Sequence, residues 1–145
     1  MIGLLQRVNW GRLTIDGQVR GEIGKGLVVL VGIERDDDEA KADRLLHRLL
    51  SYRVFGDADG KMNLSLQDIG GDLLLVSQFT LAATTDKGLR PGFSSAMHPA
   101  LAEPLYDYLV HQASSSGIRL ATGVFGADMK VALENDGPVT FSLRV

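Results

Sequence analysis

Hydrophobic and polar positions alternate through much of the chain, and the alternation predicts strands. Ile2, Leu4 and Val8 alternate with other residues, then Leu13 and Ile15 do the same before Asp16-Gly17, a hairpin-type turn pair. Val19 and Ile23 fall on the expected return strand. Leu27 to Val31 is an unbroken apolar run after Gly24 and Gly26, the pattern of a strand buried on both faces. The period then changes. Ala42, Leu45, Leu46, Leu49 and Leu50 recur at helical spacing, after Asp36 and Glu39 at capping-box spacing. Tyr52 to Phe55, Asp59-Gly60 and Met62 to Leu66 read as a short hairpin. Leu73 to Val76 predicts a second buried strand, running into Ser77-Gln78-Phe79-Thr80-Leu81.

Residues 82–97 are rich in Thr, Gly, Ser and Ala and read as a long loop. A second helix is expected next, with Leu101, Leu105, Tyr108 and Leu109 on its apolar face and Ser114 to Gly117 ending it. Pro99 suits a first turn, whereas Pro104 means that this helix either starts near Glu103 or is kinked. Ile118 to Thr122 and Met129 to Leu133 are strand-like, and Val139, Phe141, Leu143 and Val145 alternate with polar residues. Glu134 to Thr140 carries Asn, Asp, Gly and Pro together and reads as the tip of a hairpin. The order of strands, helix, strands, helix, strands favours one mixed α+β domain over residues 1–145.

Composition narrows the function classes. The 145 residues contain no cysteine, which removes disulfides, thiol nucleophiles and thiolate metal sites. With 15 Lys plus Arg against 18 Asp plus Glu, the net charge of −3 argues against nucleic-acid binding by bulk electrostatics, so such a partner must be held locally. There are 17 glycines, more than the usual share of about 7%, which fits a strand-rich fold with many tight turns. No apolar run approaches a membrane span, and Met1 to Trp10 lacks the charged start and long apolar centre of a signal peptide. A soluble cytoplasmic protein without membrane contact is the expectation.

The common chemical constellations are missing. His47, His98 and His111 have no metal-ligand spacing. Asp36-Asp37-Asp38 fits helix capping better than a cation site. Asp57-Ala58-Asp59-Gly60 has its glycine at the wrong place for a calcium loop and reads as a turn. Two segments remain. Ser77 to Leu81 puts hydroxyls and an amide where a buried strand ends, a place where rigid backbone presents free N–H groups, although a plain turn is the commoner meaning. Asn135-Asp136-Gly137-Pro138-Val139-Thr140 is the second.

Over its whole length the chain resembles the D-aminoacyl-tRNA deacylases (the D-tyrosyl-tRNA deacylase family) of bacteria and eukaryotes. The resemblance rests on Met1-Ile2 and Leu4 to Val8, on Gly56 to Asn63, and on Ser77-Gln78-Phe79-Thr80-Leu81. It continues through Arg90 to Ser94, Gly123 to Met129 and Asn135 to Thr140. Two ordered motifs at the family's spacing make it specific. The departures are Leu89, at a pocket-side position, and Pro104. The resemblance implies a β-barrel-like mixed sheet with two helices, and a homodimer whose active sites are shared. It implies hydrolysis of the ester joining a D-amino acid, or glycine, to the terminal adenosine of tRNA, without metal or other cofactor. In that picture the partner is the acceptor end of the aminoacyl-tRNA. Gly137 and Pro138, in cis form, enter the other subunit's site and exclude L-amino acids. The backbone N–H groups near Phe79 and Thr80 hold the ester carbonyl, Ser77 and Gln78 fix loop and substrate, and Phe79, Phe125 and Met129 line the pocket. Arg7 is either a brace for the Gly-Pro loop or a surface charge. Thr80 is either a nucleophile, which requires a base brought from afar, or a positioning group. Composition and pattern also fit a dimeric binding module that captures a small ligand without chemistry.

Overall fold

The computed structural model describes all 145 residues. Its element order follows the expected alternation. Strand β1 (Ile2–Ile15) turns at Asp16-Gly17, both with positive φ, into β2 (Gln18–Ile23). Then come β3 (Gly26–Gly32), helix α1 (Glu39–Ser51), the short pair β4 (Phe55–Gly56) and β5 (Met62–Leu64), helix α2 (Leu66–Ile69) and β6 (Asp72–Ser77). After a 3₁₀ turn over Phe79–Ala82 the chain forms helix α3 (Pro99–Ser115), β7 (Leu120–Thr122) and β8 (Lys130–Arg144).

The six long-sheet strands run in the order β2-β1-β3-β6-β7, with β8 paired to β1. The β3–β6 and β6–β7 pairs are parallel and the pairs of β1 are antiparallel. The result is the expected barrel-like mixed sheet of an α+β domain. Residues of β3 and β6 point alternately into two cores. Leu27, Val29, Val31, Leu73 and Leu75 pack under α1 and α3, while Val28, Leu74 and Val76 join Val8, Leu13 and Ile23 inside the curl of the sheet. This double burial explains the unbroken apolar runs.

Four expectations change. Three α-helices form rather than two, because Ser65 and Asp68 make a complete capping box that starts α2 where a hairpin strand was expected to continue. The cap of α1 is Asp38, which accepts from the Lys41 N–H, instead of Asp36; Asp37 is buried against the Met1 ammonium at 2.6 Å. Helix α3 starts at Pro99 and passes through Pro104, which lies on its exposed side. Its buried face is Ala102, Leu105, Tyr106, Leu109 and Ala113, so Leu101 points outward.

The largest correction concerns Glu134 to Thr140. There is no hairpin tip: β8 is one strand, antiparallel to β1 along its length. Val8 faces Asn135 and Gln6 faces Thr140, so residues 136–139 bulge opposite the single residue Arg7, with Gly137 and Pro138 exposed and Val139 returning to the core.

Candidate functional site

The 77–82 segment is anchored on β3. The Gln78 N–H donates to the Val31 carbonyl at 2.7 Å, and Gly32 lets the turn sit close, since a Cβ there would lie 2.7 Å from the Leu81 Cβ. The first 3₁₀ bond of the turn runs from the Leu81 N–H to the Gln78 carbonyl at 3.2 Å. The N–H groups of Phe79 and Thr80 therefore have no partner inside the turn, as at any helix start. They are the free backbone donors that the sequence pointed to. Thr80 is exposed, and its Oγ accepts from Gln78 Nε2 at 2.7 Å. No histidine, lysine or carboxylate hydrogen-bonds it.

Beside this turn lies a cleft of about 470 Å³. It is lined by Ser77, Gln78 and Phe79 together with Phe125 and Met129. Five of the expected site residues thus meet in one cleft, with Thr80 bound to its rim through Gln78. Phe125 packs on Tyr106, ring centroids 6.0 Å apart. Tyr106 in turn donates to the Leu75 carbonyl at 2.9 Å, and burial pushes its phenol well above the usual range, so it remains a neutral support. The carboxylate in the cleft, Asp128, is engaged by Lys130 at 2.9 Å. No three His, Asp or Glu side chains cluster to hold a metal ion.

Gly137, Pro138 and Arg7 do not line this cleft. The Gly137-Pro138 peptide is cis, both residues are exposed, and Gly137 has φ +136°. A Cβ on Gly137 would sit 2.7 Å from the Val139 Cγ2 and 3.1 Å from Arg7 Nη2. The bulge is tied at both ends. Asn135 Oδ1 accepts from the Val139 N–H at 2.7 Å, and Arg7 donates to the Asp136 carbonyl at 3.0 Å and the Val54 carbonyl at 2.7 Å. Arg7 therefore hydrogen-bonds the bulge to the body of the chain, and its side chain is only 14% exposed.

Two contributors escaped pattern reading. Phe93 stacks on Phe79 at 4.7 Å, and Ser95 hydrogen-bonds the Ala82 carbonyl that ends the 3₁₀ turn. Both come from the 82–97 loop, which has no periodicity to read, although Arg90 to Ser94 formed part of the resemblance. Leu89 is fully exposed and lines no part of the cleft.

Comparison with known proteins shows the family. The sequence pattern of the family described as D-Tyr-tRNA(Tyr) deacylase matches residues 4–144. A D-aminoacyl-tRNA deacylase of Aeromonas hydrophila is 61% identical over 145 residues, all of both chains. One of Stutzerimonas stutzeri is 62% identical over 144 residues, 99% of each. Among solved structures, a c-Myc DNA unwinding element binding protein superposes with TM-score 0.94 at 36% identity, covering 100% of this chain and 99% of its own. A probable eukaryotic D-amino acid tRNA deacylase shares the fold, with TM-score 0.82 at 19% identity and 98% coverage of each. A match over nearly every residue, in a chain that places the motif segment Ser77 to Leu81 on a cleft and Gly137-Pro138 on an exposed bulge, is decisive: the chain belongs to the D-Tyr-tRNA(Tyr) deacylase family.

Proposed function

We propose that the protein is a D-aminoacyl-tRNA deacylase of the cytoplasm, hydrolysing the ester between a D-amino acid and the terminal ribose of tRNA. The observation that carries the reading is the pair of unpartnered N–H groups at Phe79 and Thr80, beside a cleft with aromatic and thioether walls. The cleft takes the terminal adenosine against Phe125 and Met129. The two N–H groups receive the ester carbonyl and the negative charge it gains as water adds. The ribose hydroxyl next to the ester assists the water; the ester C–O bond then breaks, and the ribose oxygen takes the proton. An aminoacyl ester is an activated acyl group, so this assistance replaces a triad. Thr80 positions rather than attacks, because its partner is an amide and not a base.

Chiral selection comes from a second copy. Gly137 and Pro138 are exposed and away from their own chain's cleft, which suits insertion into the cleft of another subunit in a homodimer. There the backbone of the dipeptide accepts from the substrate ammonium group and leaves no room for an L side chain. Steric exclusion by backbone rejects more strongly than a missing contact, which gives about 1–3 kcal/mol. Glycine has no side chain to exclude, so glycyl-tRNA, including that mischarged on tRNA-Ala, is a substrate.

The test is release of free amino acid from D-tyrosyl-, L-tyrosyl- and glycyl-tRNA. The reading requires turnover of the first and last only, and a steep fall when the ribose hydroxyl beside the ester is removed. Sedimentation should give twice 15.7 kDa. Binding of these substrates without release would instead identify a non-catalytic ligand-binding module.

A further inference from the structure

A second hollow of about 420 Å³ opens beside the cleft, lined by Ile15, Asp16, Gln18, Arg20, Val124 and Ala127. Ala127 lines both hollows. Between them stands the turn closed by the Ala127 N–H donating to the Val124 carbonyl at 3.2 Å. The two hollows are thus neighbours on one track that crosses this turn.

Their linings differ in a way that matters. The first is walled by rings and a thioether. The second mixes two apolar side chains, Ile15 and Val124, with a guanidinium, an amide and a carboxylate. The cations nearby are already engaged. Arg12 is paired with Glu22, and Lys130 with Asp128. Arg20 has no ion-pair partner. An unpaired guanidinium beside a concave surface is suited to a phosphate. An aspartate is suited to the 4-amino group of cytosine, and a glutamine to base edges in general. The volume fits one nucleotide within the usual range of small-ligand sites.

We propose that this second hollow holds the cytidine nucleotide that precedes the terminal adenosine of tRNA. Arg20 contacts its phosphate, and Asp16 and Gln18 lie along the edge of its base. The inference rests on the reading that the first cleft holds that adenosine. With the chain at a net charge of −3, Arg20 then supplies a large share of the salt dependence of substrate binding.

The experiment compares two D-tyrosyl esters, one of adenosine alone and one of the trinucleotide cytidylyl-cytidylyl-adenosine. In Arg20→Ala, KM for the trinucleotide ester should rise roughly tenfold while kcat holds, as loss of one charged hydrogen-bonding contact implies. The adenosine ester should be unaffected. The slope of log KM against log salt for the trinucleotide ester should flatten by about 0.7. Arg20→Lys should restore part of the loss, and Arg20→Glu should deepen it. An unchanged KM in Arg20→Ala, or an equal rise for both esters, overturns the assignment. Should the wild type hydrolyse neither ester, turnover of D-tyrosyl-tRNA still decides the deacylase reading, and binding of the unacylated trinucleotide decides the present one alone. Weaker trinucleotide binding in Arg20→Ala with unchanged adenosine binding then supports it, and equal affinities overturn it.

Discussion

Arg7→Ala removes the side chain that ties the 136–139 bulge to the body of the fold. Its guanidinium donates from Nε to the Asp136 carbonyl at 3.0 Å and from Nη1 to the Val54 carbonyl at 2.7 Å. Hydrogen bonds from a charged donor contribute about 1.5–3 kcal/mol each. The ion pair with the Asp136 carboxylate, 3.3 Å away, adds little because that side chain is 41% exposed. The wild type also loses up to about 2 kcal/mol of side-chain freedom when Arg7 is ordered on folding, a cost the alanine variant does not bear, and this offsets part of the loss. Val54 is buried, so its carbonyl loses its partner where water is scarce. The net cost is about 2–4 kcal/mol. For a domain of this size that lowers Tm by about 5–12 °C, with the urea midpoint falling and the m-value unchanged.

Function should move with it. The bulge presents Gly137 and Pro138, so loosening its base should shrink the ratio of D- to L-tyrosyl-tRNA turnover. Arg7→Lys keeps the charge, but a single ammonium does not reach two carbonyls in fork geometry, so both effects should be intermediate. Wild-type Tm and wild-type selectivity in Arg7→Ala would refute the brace. A lowered Tm with unchanged selectivity, measured at a temperature where the variant is folded, would keep the brace and refute the role given to the bulge.

Three further outcomes follow from the same geometry. Thr80→Ala should keep deacylation within about tenfold of wild type, and mass spectrometry of enzyme quenched during turnover should find no acyl-enzyme; a loss of three orders of magnitude, with folding intact, would make Thr80 the nucleophile. Gly137→Ala places a Cβ 2.7 Å from Val139 Cγ2 at φ +136°, so it should cost about 1–3 kcal/mol and impair turnover of the D substrate or its selectivity; a variant matching wild type in Tm and selectivity would exclude that crowding. Asp57 accepts from Asn63 and from the N–H groups of Lys61 and Asp59, which hold its carboxyl below the usual range. Its contribution is present above the unfolded value of about 3.9 and is lost as pH falls through the lower folded value. The Tm gap between wild type and Asp57→Asn should therefore close in strong acid, and a gap independent of pH would contradict this.

Periodicity carried most of the fold because burial has two clear signatures here. Helix α1 shows one apolar face, and β3 and β6 show unbroken runs because both their faces are covered. It failed where two structures share one local chemistry. Asn, Asp, Gly and Pro serve a hairpin tip and a strand bulge equally well. What decides between them is β1, long enough to pair with both halves of β8, and that is a fact about a distant segment. Helix α3 failed differently. Alanines at 102 and 113 sit against the core where space is tight, and the larger Leu101 is left outside. A hydrophobicity pattern that ranks leucine above alanine reads the face one position early.

The site divides along the same line. Ser77 to Thr80 were legible because four consecutive residues at a strand end share a location whatever the rest of the chain does. Phe125 and Met129 reached the same cleft, but Gly137, Pro138 and Arg7 did not. The resemblance implied a site shared between subunits, and within one chain the nine residues form two separate groups. Each part is separately well made. The cleft has its donors fixed by the 3₁₀ turn, and the bulge is held by Asn135 and Arg7. The bulge is braced at its base and anchored in the core by Val139, but its tip, Gly137 and Pro138, is bare and packs on nothing in its own subunit. That disparity is the physical argument for the proposed shared site: the two parts can act on one substrate when a second copy brings the tip of its bulge to the mouth of the first copy's cleft.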